Sequence, residues 1–96
     1  MPKGYIIARV DVTDENAYAH YAKLATPVIE QYGGRVLVRG GTCHVLEGEG
    51  RARNVVIEFD SLEQATAAFN SDTYKKALEV LGDACERDFR IVEGVA

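Results

Sequence analysis

Tyr32-Gly33-Gly34-Arg35-Val36-Leu37-Val38-Arg39-Gly40-Gly41-Thr42-Cys43-His44-Val45-Leu46-Glu47-Gly48 decides the fold of this chain. Upstream of it, Ala17, Tyr18, Tyr21, Leu24, Ala25, Val28, Ile29 and Tyr32 recur at three- and four-residue steps, one stripe of a long helix. Gly33 and Gly34 stop that helix, because glycine accepts the left-handed backbone of a C-terminal cap. Residues 35–39 and 42–47 then read as two short strands. Gly40-Gly41 is the link between them, suited to a tight hairpin turn that needs positive φ. Gly48-Glu49-Gly50-Arg51-Ala52-Arg53 follows as a polar loop.

On the N-terminal side, Tyr5-Ile6-Ile7-Ala8-Arg9-Val10-Asp11-Val12 is a strand, β-branched and alternating toward its end. Ile6, Ala8, Val10 and Val12 form one apolar face. Tyr5, Ile7, Arg9 and Asp11 form the other, which begins apolar and becomes charged. Thr13 caps the long helix, with Asp14 and Glu15 where carboxylates meet the positive end of the helix dipole. Pro27 removes a backbone donor and predicts a kink near residues 23–24 or a restart capped by Thr26. On the C-terminal side, residues 54–59 make a third major strand, with Val55, Ile57 and Phe59 opposite Val56 and Glu58. Ser61-Leu62-Glu63-Gln64 is a capping box. Asn70-Ser71-Asp72 breaks the helix it opens, Ser71 caps a second segment, and Gly82 ends that. Residues 87–93 alternate once more, Phe89 and Ile91 against Arg90 and Val92.

Ninety-six residues make one domain spanning 1–96. Fifteen acidic residues outnumber eleven basic ones and leave a formal charge of −4. No basic cluster appears, so nucleic acid is not an expected partner. No apolar run approaches the roughly 20 residues that span a bilayer, and no membrane contact is expected. Cys43 and Cys85 are far apart and form no metal or redox spacing, which with the lack of a secretory segment predicts reduced thiols and a cytoplasmic protein.

Strand, helix, two or three strands, helix pair, strand is the ferredoxin-like βαββαβ order with a hairpin inserted, an α+β fold with helices on one face of an antiparallel sheet. The other face is mixed. It holds Tyr5, Ile7, Arg9 and Asp11 of the first strand, Leu37 and Arg39 of the second, Val56 and Glu58 of the third, and Arg90 and Val92 of the last. A face this apolar calls for cover, most simply a second copy, so a homodimer is expected. Two such sheets would enclose a pocket with apolar walls and a few charges, a place for a small-molecule ligand.

The chain resembles the DUF1330 family over nearly its whole length. The resemblance is carried by Gly4-Tyr5, Ala17-Tyr18-Ala19-His20-Tyr21, Tyr32-Gly33-Gly34, Arg39-Gly40-Gly41, Leu46-Glu47-Gly48, Val56-Ile57-Glu58-Phe59 and Asn70-Ser71-Asp72-Thr73-Tyr74, in shared order and spacing. It implies a ferredoxin-like protomer and a homodimer of the α/β-barrel type, in a family with no established general activity. The chain departs from similar sequences by lacking a Trp after Glu47-Gly48, by having Ala68-Phe69 where Trp-Tyr is frequent, and by Leu81 where an arginine is frequent. Those departures imply a different ligand or a lost activity.

On the mixed face, Arg9 and Arg39 could clamp a carboxylate or enolate beside Tyr5, with Glu58 as general base. The alternative is an ion-pair network between two sheets. Asn70 and Ser71 stand at a helix break whose free N–H groups can hold an anion; plain capping by Ser71 is the alternative. Cys43 and His44 are adjacent on a strand and point apart, so they form no nucleophile pair. Two histidines without ligand spacing support neither a metal site nor a haem ligand, and no phosphate loop is present. No cofactor is expected. Two readings remain open. One is a homodimeric small-molecule protein, with a cofactor-independent enzyme on a small carbonyl or carboxylate compound as its catalytic form. The other is a non-catalytic ligand-binding or structural dimer.

Overall fold

The alternation of β-branched residues and the two capped helical stripes produce seven elements in a computed structural model that describes residues 2–96. They are β1 (Gly4–Val12), α1 (Glu15–Gln31), β2 (Arg35–Arg39), β3 (Arg53–Phe59), α2 (Leu62–Asn70), α3 (Asp72–Leu81) and β4 (Cys85–Glu93). The strands form one antiparallel sheet in the order β2-β3-β1-β4. All helices lie on one face, so the molecule is a slab of 36 × 34 × 16 Å. This is the expected α+β, ferredoxin-like architecture. Among the described residues no helix is long and apolar enough to cross a membrane.

Local sequence sets the ends of the helices. Asp14, rather than Thr13, caps α1 by accepting a hydrogen bond from the Ala17 amide at 3.1 Å. The helix runs through Pro27 without a restart, and Thr26 donates back to the Ala22 carbonyl at 2.8 Å. At its end Gly33 takes φ +81°, the Gly33 amide bonds Glu30 and the Gly34 amide bonds Ile29. That pair of bonds is the Schellman cap the glycines predicted. A Cβ on Gly34 would stand 2.6 Å from Ile29 and 2.8 Å from Phe59, so the tight passage from α1 into β2 requires this residue. Ser61 caps α2 through the Gln64 amide, while the Gln64 side chain donates to the Tyr32 carbonyl and ties α2 to the end of α1.

The inserted hairpin does not form. Residues 42–47 have no regular structure and every one is exposed, Leu46 by 90%. β3 already occupies the inner edge of β2. A further strand at 42–47 would have no buried face for either of its side-chain sets. Gly40 does take positive φ, at +64°, but it turns the chain into a loop over residues 40–52.

One irregularity redirects the sheet. β2 pairs Arg35 with Glu58 and Val36 with Ile57, then Val38 with Val56 and Arg39 with Val55. Leu37 is the extra residue of a bulge, and beyond it every β2 side chain changes face. Arg35 and Val38 therefore share the open face with Glu58 and Val56. Arg39 lies on the helix side with Val55, opposite to the face expected of it.

Candidate functional site

The inward faces of the central strands stack in rows. Ile57, Ile6 and Ile91 form one row, Val55, Ala8 and Phe89 the next, and Arg53, Val10 and Arg87 the third. The first two are the floor of a core. The third is unusual, because two arginines flank the fully buried Val10 on the side that faces the helices. Above this floor α1 presents the small residues Ala22 and Ala25, so floor and roof do not meet. A cavity of about 410 Å³ remains between α1 and the sheet. Its size falls within the range of about 300–1,000 Å³ typical of small-molecule pockets.

The cavity has two ends of different character. Ile6, Ile29, Val36 and Ile57 line the apolar end. At the other end Arg87 donates to the Tyr21 hydroxyl at 3.2 Å, and the Tyr21 and Tyr74 hydroxyls lie 2.5 Å apart. The Arg87 guanidinium stacks 4.4 Å from the Phe89 ring centroid and 5.4 Å from that of Tyr21. Arg53 donates to the Tyr18 hydroxyl at 3.3 Å and stacks on the same ring. Arg39 and Lys23 complete this end. Burial, and then the neighbouring Tyr21, push the Tyr74 hydroxyl well above the ordinary tyrosine range, so it stays protonated.

The lining contains no Asp, Glu, Asn, Gln or His. Among the described residues, Arg39, Arg53 and Arg87 make no ion pair with a carboxylate, whereas Arg9, Arg35 and Arg51 all do. Arg53 and Arg87 are half-buried while Arg39 is exposed, and a half-buried arginine without a counter-anion is costly, because desolvation is not offset.

The residues nominated from the sequence are dispersed. Tyr5 and Glu58 meet on the open face, where the Tyr5 hydroxyl donates to Glu58 at 2.9 Å and Arg35 donates to the same carboxylate at 3.1 Å. The Tyr5 bond first, and then Arg35, hold the Glu58 carboxyl below the usual range. Glu58 is thus a committed carboxylate. Arg9, on the same face, is occupied by Asp88, whose carboxyl it holds low. Arg39 is on the helix side and does not meet Arg9 or Glu58. Ser71 spends its hydroxyl on the Tyr74 amide and the Ala68 carbonyl, and Asn70 is exposed at the end of α2. Cys43 and His44 are in the exposed loop. Among the described residues no group of His, Cys, Asp and Glu is placed to hold a metal ion.

Sequence reading missed Arg53, Arg87 and the tyrosine hydroxyls as one site. A signal was present. Arg87 is in phase with Phe89 and Ile91, and Arg53 with Val55, Ile57 and Phe59, so each arginine continues an inward-facing apolar series.

Fold and cavity together define a small ferredoxin-like α+β protein with a donor-lined cavity beneath its first helix. The model of the family described as a domain of unknown function, DUF1330, matches residues 3–95. The chain belongs to that family. No curated protein sequence matches it. Among solved structures it is similar to a protein of unknown function from Rhodopseudomonas palustris, with TM-score 0.82, 18% identity, and coverage of 99% of this chain and 84% of that one. It is also similar to a protein from Caulobacter crescentus named as a putative antibiotic biosynthesis monooxygenase, with TM-score 0.63, 15% identity, and coverage of 99% and 92%. A third is a dimeric protein of unknown function with a ferredoxin-like fold from Bacteroides fragilis, with TM-score 0.63, 14% identity and 95% of each chain covered. At these identities the likeness is one of fold.

Proposed function

We propose that this is a homodimeric small-molecule protein that takes an organic anion with an apolar body into the cavity beneath α1. The observation that carries the reading is the charge balance of the lining. Three arginines and a lysine converge on a cavity without an acidic residue, in a chain whose net charge is −4. A carboxylate or enolate would supply the missing counter-charge, and arginine forks match such oxygens well. Its hydrocarbon body would lie along Ile6, Ile29 and Ile57. Of the residues nominated from sequence, Arg39 belongs to this proposal.

The open sheet face supports the homodimer. Val38 and Val92 are exposed there by 39% and 41%, beside the half-exposed Ile7 and Val56, and the neighbour from Bacteroides fragilis is described as dimeric. A dimer closed through that face leaves both helix-side cavities free. A cofactor-independent enzyme on a small carbonyl or carboxylate compound is the catalytic form of the reading, and the neighbour named as a monooxygenase favours including it.

The test is thermal stability in the presence of a graded series of alkyl and aryl carboxylates, each beside its neutral amide. Ligands that bind only the folded state raise Tm by mass action. The acids are expected to raise Tm and the amides are not. Equal effects of acid and amide, or no effect from any acid, would remove the reading.

A further inference from the structure

The polar end of the cavity contains more donor protons than acceptors. Tyr21 and Tyr74 carry one hydroxyl proton each, and they share a single hydrogen bond at 2.5 Å. Arg87 adds a further donor to the Tyr21 oxygen. Whichever tyrosine donates within the pair, the proton of the other is left over. Among the described residues neither hydroxyl donates to another acceptor, and Arg87 also acts as a donor toward the Tyr74 oxygen. The leftover O–H and the guanidinium thus stand together at the inner end of a cavity that offers them no carboxylate, amide or imidazole acceptor.

We propose that Arg87, Tyr21 and Tyr74 form an oxyanion-binding site, and that the cavity's ligands include phenols and enolisable carbonyl compounds, which it holds as the phenolate or enolate. The inference rests on the cavity reading above and adds the kind of oxygen that the site selects. The step is an ionisation of the phenol, or of a carbonyl compound already in its enol form: the ligand O–H bond breaks, its electron pair stays on oxygen, and the proton leaves to water. No protein base is required, and the lining has none. The charged and titratable groups that line the cavity are Arg87 from β4, Tyr21 and Lys23 from α1, Tyr74 from α3, Arg53 from β3 and Arg39 from β2. Tyr18 stands beside Arg53. All are cations or hydroxyl donors, so every one favours the anion. The Tyr74 hydroxyl does not compete for the charge, since burial makes it harder to ionise than a free tyrosine.

A nitrophenol that ionises near neutral pH tests this, because its phenolate absorbs in the visible. Its titration is followed free and with the protein in excess. A cation within hydrogen-bonding range lowers an acid's pKa by about 1–3 units, so the bound phenol is expected to titrate at least about one unit lower, equivalent to about ten-fold tighter binding of the phenolate. Arg87→Gln is expected to cancel most of the shift, and Tyr74→Phe, which keeps the ring, part of it. Tyr21→Phe serves if Arg87→Gln does not fold. Arg90→Gln, on the open face, is expected to leave the shift unchanged. A bound phenol with an unshifted or raised pKa overturns the oxyanion site while leaving the cavity reading intact. So does failure of the nitrophenol to bind when carboxylates bind. Failure of both ligand classes overturns both.

Discussion

Replacing Arg87 by methionine separates an arginine kept for a ligand from one kept for the fold. In the unliganded protein the guanidinium stacks on two rings, for about 1–2 kcal/mol in all. Its charged hydrogen bond to Tyr21 contributes about 1.5 kcal/mol. Against these stands the desolvation of an ion with no carboxylate partner, several kcal/mol for a buried group and about 3 kcal/mol for one half-buried. Methionine keeps the stem's packing and returns about 0.5–1 kcal/mol through sulfur–aromatic contact. The terms nearly cancel, so Arg87→Met should change stability by no more than about 1 kcal/mol, on the stabilising side. In a domain of this size that is a Tm rise of no more than about 4–8 °C. The assay is urea denaturation with the m-value compared, since a constant m assigns a midpoint shift to stability. The same variant should weaken carboxylate binding by about ten-fold or more, the loss of one charged hydrogen bond. A loss of about 3 kcal/mol or more at constant m is the signature of a broken buried pair. That result would refute the reasoning, because the cation would then be part of the fold and its lack of a counter-anion would point to no ligand.

Three further outcomes follow from the same geometry. Ala22→Leu adds bulk from α1 into the cavity; it should abolish the acid-induced rise in Tm while changing unliganded stability by about 1–2 kcal/mol at most, and an intact ligand response would place binding elsewhere. Glu58 has a lowered native pKa, so its contribution is present above the ordinary glutamate range and is lost as pH falls through the native value. Glu58→Gln should therefore flatten the acid limb of a stability–pH profile, and an unchanged limb assigns that slope to other carboxylates. Ile7→Arg puts a charge at the centre of the open face, and sedimentation should report a monomer with an unchanged circular dichroism spectrum; a persistent dimer would move the interface to another surface.

The helices and the central strands were legible because their signals are local. A capping serine at Ser61, a glycine pair after Tyr32 and a period-two run from Tyr5 act within a turn or a strand. The phase of β2 was not legible in the same way. Nothing in Arg35-Val36-Leu37-Val38-Arg39 marks Leu37 as the bulged residue, since each residue suits a regular strand. The bulge follows from pairing with β3, which is non-local, and one residue of slip moves Arg39 from the open face to the cavity. The hairpin failed for a related reason. Gly40-Gly41 carries a sound turn signal, but a strand forms only where an edge and a buried face exist for it. The cavity itself arises from coincidence in space, as Ala8 of β1 comes to lie beneath Ala22 and Ala25 of α1.

Apart from Arg90, which is exposed on the open face without a carboxylate partner among the described residues, the arginines are sorted by face, and the sorting follows chemistry. On the open side Arg9, Arg35 and Arg51 each find carboxylates, at Asp88, at Glu58 and Asp60, and at Asp11. Those pairs are partly solvated, so each contributes little to stability. On the helix side Arg53 and Arg87, both half-buried, meet only aromatic rings and hydroxyls, while Arg39 is exposed at the edge of the same cavity. A sequence selected for stability alone would have reversed this, leaving cations where water solvates them and apolar side chains where it does not. Adjacent residues make the contrast plain: Arg87 and Asp88 are neighbours in the chain, yet strand alternation sends the cation inward and its natural counter-ion outward. Exchanging the two would satisfy neither face. The strand therefore holds a positive charge apart from the protein's own acids, which leaves it available to an acid that the protein does not carry.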